Sequence, residues 1–168
     1  MDKLYPMSRL PDRFDLWVRK ARACPDPVRQ ADYVLGALAA LPEWYFFNIG
    51  TKEKPQVSEV EIENHWYVLV FSDSGRIEEL VEDRVPKGEP LPVISMPTAT
   101  AMAWCLEHKA KGCAGLLVNP GEYAAVIPLA QVEAFHAEWN RCDGRRASGF
   151  WIPNLTTEEE DFWQEHGL

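Results

Sequence analysis

Between Leu91 and Trp139 the chain reads as strand, helix, apolar strand, tight turn, strand and helix in unbroken succession. Pro92 to Met96 is an extended run that Pro97 ends, and Thr98 or Thr100 is placed to cap the helix that follows. Ala99, Met102, Ala103 and Leu106 recur at helical spacing, and Gly112 suits a left-handed C-cap. Cys113 to Val118 is a buried strand, turned at Asn119-Pro120-Gly121 into Tyr123 to Ile127. Pro128 then opens a helix carrying Leu129, Val132, Phe135, His136 and Trp139 on one side. Every one of these elements has an apolar face that only a neighbour can cover, so the stretch demands a layered α+β domain.

The rest of the chain fits around that unit. Phe14, Trp17, Val18 and Ala21 mark a first helix opened by Pro11 and Asp12. Asp26-Pro27 is an N-cap and first helical residue for a second helix running to about Leu41. Trp44 to Ile49 is an aromatic strand closed by Gly50, and Thr51 to Gln56 a polar loop. Val60 and Ile62 alternate with Glu59, Glu61 and Glu63, the period of a half-exposed antiparallel strand whose glutamates share the wet face. Trp66 to Phe71 is continuously apolar and reads as a central strand covered on both sides. Ser72-Asp73-Ser74-Gly75 breaks it and caps a short helix through Ile77, Leu80 and Val81; Val85 to Pro92 is a connecting loop and the one plausible hinge. A last short helix is expected from the Thr156/Glu159 capping box through Trp163. The sum is a mixed or mainly antiparallel sheet of about five or six strands, with helices mainly on one face, two at the N-terminus and a short one at the C-terminus.

At 168 residues the chain suits one domain, 1–168, that buries roughly 70% of its unfolded surface. Its net charge of -9 repels phosphate, so nucleic acid and anionic membrane are not expected as partners. No apolar run is long enough to span a bilayer and no signal segment opens the chain, which points to the cytoplasm. Cys24, Cys105, Cys113 and Cys142 are then expected as free thiols.

Several constellations carry chemistry in principle. Cys105 and His108 lie one helical turn apart, with Cys113 nearby and His136 or Cys142 as a fourth donor, a soft tetrahedral set for a metal. The competing reading is a buried thiol beside a capping histidine. Ser72, Ser74 or Ser95 with His65 or His108 would make a hydrolase, but Gly-x-Ser-x-Gly is absent and turn or cap roles account for these serines. Gly112-x-x-Gly115 and Asn119-Pro120-Gly121 are turns rather than phosphate loops. Glu59, Glu61 and Glu63 form an acidic strand face that either meets a basic partner or a divalent ion, or guards an edge against self-pairing. Phe150, Trp151 and Trp163 are exposed-aromatic candidates for an interface. No catalytic residue, cofactor or metal is assigned.

WYVLVFSDSGRIEEL followed by LPVISMPTATAMAWCLEHKAKGCAGLLVNPGEYAAVIPLAQVEAF resembles the N-terminal domain of the SseB family, associated with enhanced serine sensitivity in bacteria. Phe71-Ser72-Asp73, the Gly115 to Gly121 strand and turn, and residues 35–50 carry the resemblance, which covers roughly residues 28–139. It implies a small non-catalytic α+β domain and supplies no catalytic residues. The expected function is a non-enzymatic protein-interaction or regulatory module with an acidic surface, binding another protein, a basic one included, or itself. The alternatives are a toxin-neutralising immunity protein, a small-molecule sensor with a pocket beside the Thr98 helix, and a metal protein or enzyme using Cys105, His108 and Cys113.

Overall fold

A computed structural model describes residues 12–121 and 123–141. It is α+β, with two N-terminal helices, α1 (Arg13–Ala23) and α2 (Pro27–Ala39), leading into strand β1 (Glu43–Phe47). The strands β2 (Glu59–Ile62) and β3 (His65–Val70) form a hairpin; α3 (Ser74–Val81), β4 (Val93–Pro97), α4 (Thr98–Glu107) and a 3-10 turn (His108–Lys111) follow. β5 (Cys113–Val118), β6 (Ala125–Pro128) and α5 (Leu129–Arg141) complete the fold. The expected C-terminal helix, with Phe150, Trp151 and Trp163, lies outside the described residues.

The six strands divide into two sheets: β1 pairs antiparallel with β4, and the other four run in the order β2-β3-β5-β6. β3 and β5 are parallel, and both flanking pairs are antiparallel. Tyr45 and Phe71 exchange backbone hydrogen bonds of 3.0 and 2.9 Å, which tie β1 to the end of β3. The pair carries the pleat across, so Trp44 and Phe46 of β1 join Val68, Val70, Leu116, Val118 and Ile127 on one face. Helices α1, α2, α4 and α5 cover that face and build the main core with them. The other face has a smaller cluster under α3, formed by Phe71, Ile77 and Val81 with Tyr45, Phe47 and Leu69 against it.

Local chemistry explains the helix ends. Asp12 and Asp15 form a reciprocal capping box at the start of α1, and the Asp26 and Asp73 carboxylates accept backbone N–H groups at the starts of α2 and α3. Gly112 sits at φ 81° and closes the 3-10 turn, a backbone that L side chains seldom adopt.

Some local expectations are revised. Neither Thr98 nor Thr100 caps α4: Pro97 occupies the cap, and the buried Thr98 hydroxyl donates instead to the Leu41 carbonyl at 2.5 Å. The buried stripe of α4 is Thr98, Ala101, Met102 and Cys105 rather than Ala99, Met102, Ala103 and Leu106. Pro128 ends β6 and the helix begins one residue later. Gly115 is no turn residue but lies inside β5, where a side chain would overlap the Ile127 carbonyl.

Candidate functional site

The β2–β3 hairpin is joined by Glu63 and Asn64, both at positive φ, 51° and 63°. Two consecutive left-handed residues define a type I′ turn, whose twist matches that of the flanking strands. It closes the pair Ile62↔His65, and the register continues through Glu61↔Trp66, Val60↔Tyr67 and Glu59↔Val68. Hydrogen-bonded and open pairs alternate in an antiparallel ladder, so the N–H and C=O groups of Glu59 and Glu61 point away from β3.

That direction leads off the sheet. β2 is outermost in its sheet, and the pairing toward β1 ends at the Asn48↔Val57 bridge and the bond from Ser58 N–H to the Phe47 carbonyl. Among the described residues, the outer edge of Glu59 to Ile62 has no strand beside it. The register also revises the face assignment. Glu59 and Glu61 share the face of Val68 and Trp66, the core side of the sheet, yet both are exposed, with Glu59 beside His108 of the 3-10 turn that follows α4. Glu63 belongs to the turn and not to the strand face.

Trp66 is the residue that sequence reasoning misplaced. Expected to be covered on both sides, it is 47% exposed, and Ile62 on the opposite face is 37% exposed. The signal was present in its position, two residues after the Glu63-Asn64 turn and near the tip of the hairpin. Trp66, Glu59, Lys111 and Cys113 line a small cleft of about 150 Å³. His108 packs edge-on against Trp104 and its Nδ1 meets the Trp104 carbonyl at 3.0 Å, which sets Nε2 3.8 Å from the Glu59 carboxylate.

The cysteine–histidine constellation does not assemble. Cys105 is fully buried, and burial, with Cys113 adding to it, pushes its thiol well above the usual range, away from a metal-binding thiolate. Cys113 donates its thiol to the Gly115 carbonyl at 3.2 Å, and His136 faces Asn140 on the exposed side of α5. Among the described residues, no group of three or more His, Cys, Asp or Glu side chains is arranged to hold a metal ion. Cys24, Cys105 and Cys113 are free thiols; Cys142 lies outside the described residues.

Ser72 and His65 do not meet as a catalytic pair. Ser72 follows the carboxyl end of β3 and His65 begins it, so about 20 Å of strand separates them. Ser72 is instead wired to Asn119: its N–H donates to Asn119 Oδ1 at 2.9 Å, and Asn119 Nδ2 donates to its hydroxyl at 3.0 Å. Asn119 is buried, not displayed at a rim, and it clamps together the ends of the two parallel strands. Ser95 lies on the exposed side of β4 in the other sheet.

Beside this clamp, Arg76 gathers three carboxylates: Asp12 at 2.6 Å, Asp15 at 2.8 Å and Asp73 at 3.1 Å. Asp15 is almost wholly buried, and burial pushes its carboxyl up while the Arg76 hydrogen bonds pull it back. The cluster joins the start of α1 to the start of α3. With every carboxylate turned onto the guanidinium, it reads as a structural lock and not as an acid–base pair.

A comparison with family models, curated proteins and solved structures finds no match. Among the described residues no helix is long and apolar enough to cross a membrane. Fold and surface thus define an α+β chain whose most distinctive exposed feature, among the described residues, is a hairpin with an open edge, a half-exposed tryptophan and three glutamates.

Proposed function

We propose that this chain is a non-enzymatic protein-interaction module of the SseB type, contacting its partner through the β2–β3 hairpin. The observation that carries the reading is Trp66, a large aromatic side chain 47% exposed on a firmly paired strand beside Glu59 and Glu61. Trp supplies much contact area at little entropic cost, which is why it concentrates at interface hot spots. The glutamates of β2 and the net charge of -9, set against the single Lys111 in the same cleft, favour a basic protein partner over nucleic acid or an anionic membrane. The family kinship rests on the residues quoted above and on the strand, Phe-Ser-Asp turn and helix they encode.

The test is affinity capture with the full chain and its Trp66→Ala variant. The expected result is a protein retained stoichiometrically by the wild type and at least ten-fold less by the variant, with the same thermal midpoint for both. Equal capture by both chains would refute the hairpin as the contact.

The turn supplies a second prediction. A type I′ turn favours Asn-Gly, yet here it holds Glu63 and Asn64. The double substitution Glu63→Asn, Asn64→Gly should raise stability by about 0.5–1 kcal/mol in urea denaturation, since both residues then suit positive φ. Loss of stability would show that Glu63 makes a compensating contact.

A further inference from the structure

Resting on the reading of the hairpin as a contact surface, we propose that the partner binds by strand addition: an extended basic segment of another protein pairs with the outer edge of β2. Three features select this occupant. The outward N–H and C=O groups of Glu59 and Glu61 form a half-ladder with no strand beside it among the described residues, and an added strand would satisfy it while fixing its own register. The type I′ turn and the β3 ladder hold that edge in shape before binding, so little conformational entropy is lost on docking. The charges then decide which strand fits.

A second copy of this chain pairing β2 on β2 would gather the glutamates of both edges along one ladder, and facing like charges destabilise a sheet. The same side chains that forbid this self-pairing complement a strand with Lys or Arg at alternate positions. On one face those cations would lie along Glu59 and Glu61, with the Trp66 ring available to a cation–π contact. On the other, apolar residues would extend the row made by Val60 and Ile62. The predicted ligand is therefore a segment of about five residues or more alternating cationic and apolar side chains.

The experiment titrates the full chain with a labelled synthetic peptide of alternating Lys and Val, followed by anisotropy and by amide NMR. A peptide of the same composition in block order, and one N-methylated at the ladder-forming amides, serve as comparisons. Strand addition predicts saturable binding of the alternating peptide, amide shifts centred on Glu59 to Ile62, and at least ten-fold weaker binding of both comparison peptides. On the protein, Glu61→Pro removes an outward N–H without touching the β3 ladder, so it should weaken binding ten-fold or more, whereas Glu61→Gln should cost about three-fold. If Glu61→Pro unfolds the chain, the N-methylated peptide decides alone. Equal binding of all three peptides would overturn strand addition in favour of plain charge attraction and leave the hairpin reading intact. Absence of binding by the alternating peptide would overturn the proposal also, and the Trp66→Ala capture would still judge the hairpin separately.

Discussion

Replacing Arg76 with methionine should destabilise the protein by about 3–5 kcal/mol, because it leaves a buried carboxylate without its counter-charge. Asp15 is 1% exposed, and both of its oxygens are engaged, Oδ1 by Arg76 at 2.8 Å and Oδ2 by the Asp12 N–H at 3.1 Å. Without the guanidinium, only the backbone bond remains to offset the burial of the charge. Adding Asp15→Asn to the Arg76→Met chain should recover about 2 kcal/mol, since a neutral amide costs less to bury and its oxygen still accepts from Asp12. Urea midpoints of the two single variants and the double variant measure this coupling directly. The pH dependence has a definite sign. Burial already holds the folded-state pKa of Asp15 above its ordinary value of 3.8. Its ionised form therefore costs stability above the folded pKa, and protonation relieves that cost as pH falls. Losing Arg76 raises the pKa further, so the deficit of Arg76→Met should shrink between pH 7 and pH 4, whereas a deficit constant with pH would deny Asp15 this role.

Gly115→Ala should cost about 3 kcal/mol, at the upper end of what overpacking does in a core. An added Cβ at this position would overlap the Ile127 carbonyl oxygen and come within 3.0 Å of its carbon and 3.2 Å of Pro128 Cα. All three are main-chain atoms in the neighbouring strand, so no side chain can swing aside. β5 and β6 would have to part, drawing the fully buried Ile127 from the core and disturbing the entry to α5. The adjacent Ala114→Gly, which adds no atoms, should cost only about 1 kcal/mol from lost strand propensity. Thermal unfolding of the two variants separates them; comparable losses would mean that steric overlap is not what fixes glycine here.

Much of the fold was legible because it is written in local chemistry. The Asp caps of α2 and α3, the Gly112 cap and the aromatic run of β1 each rest on residues close in the chain. The phase of α4 was not legible. TATAMAWCLE has small or apolar residues all around its axis, so only the core beneath it decides that Cys105 faces inward and Leu106 sideways. Thr98 looked like a cap because its nearest partners in sequence allow it, whereas its actual partner, Leu41, is 57 residues away.

The candidate site failed to show itself for a related reason. Trp66 sits in an apolar run that reads as doubly covered, although its place near the turn end of the hairpin hinted at the 47% exposure it has. Glu59 and Glu61 were singled out correctly as a charged strand, but the face they occupy depends on the register with β3. Arg76 and Asp15 were invisible as a pair because 61 positions separate them, although an aspartate inside the apolar stripe of α1 was a hint. Phe150, Trp151 and Trp163 lie outside the described residues.

The departure of β4 from the main sheet has a consequence for how the molecule is sewn together. The chain passes from β3 to β5 by way of a strand that pairs with β1, so the exposed 82–90 loop divides two interleaved halves. β1, β2 and β3 precede it and β4, β5 and β6 follow, and each half owns part of both sheets. A polypeptide severed in that loop would yield neither half as a free-standing unit, only two complementary fragments whose edges are completed by reassembly.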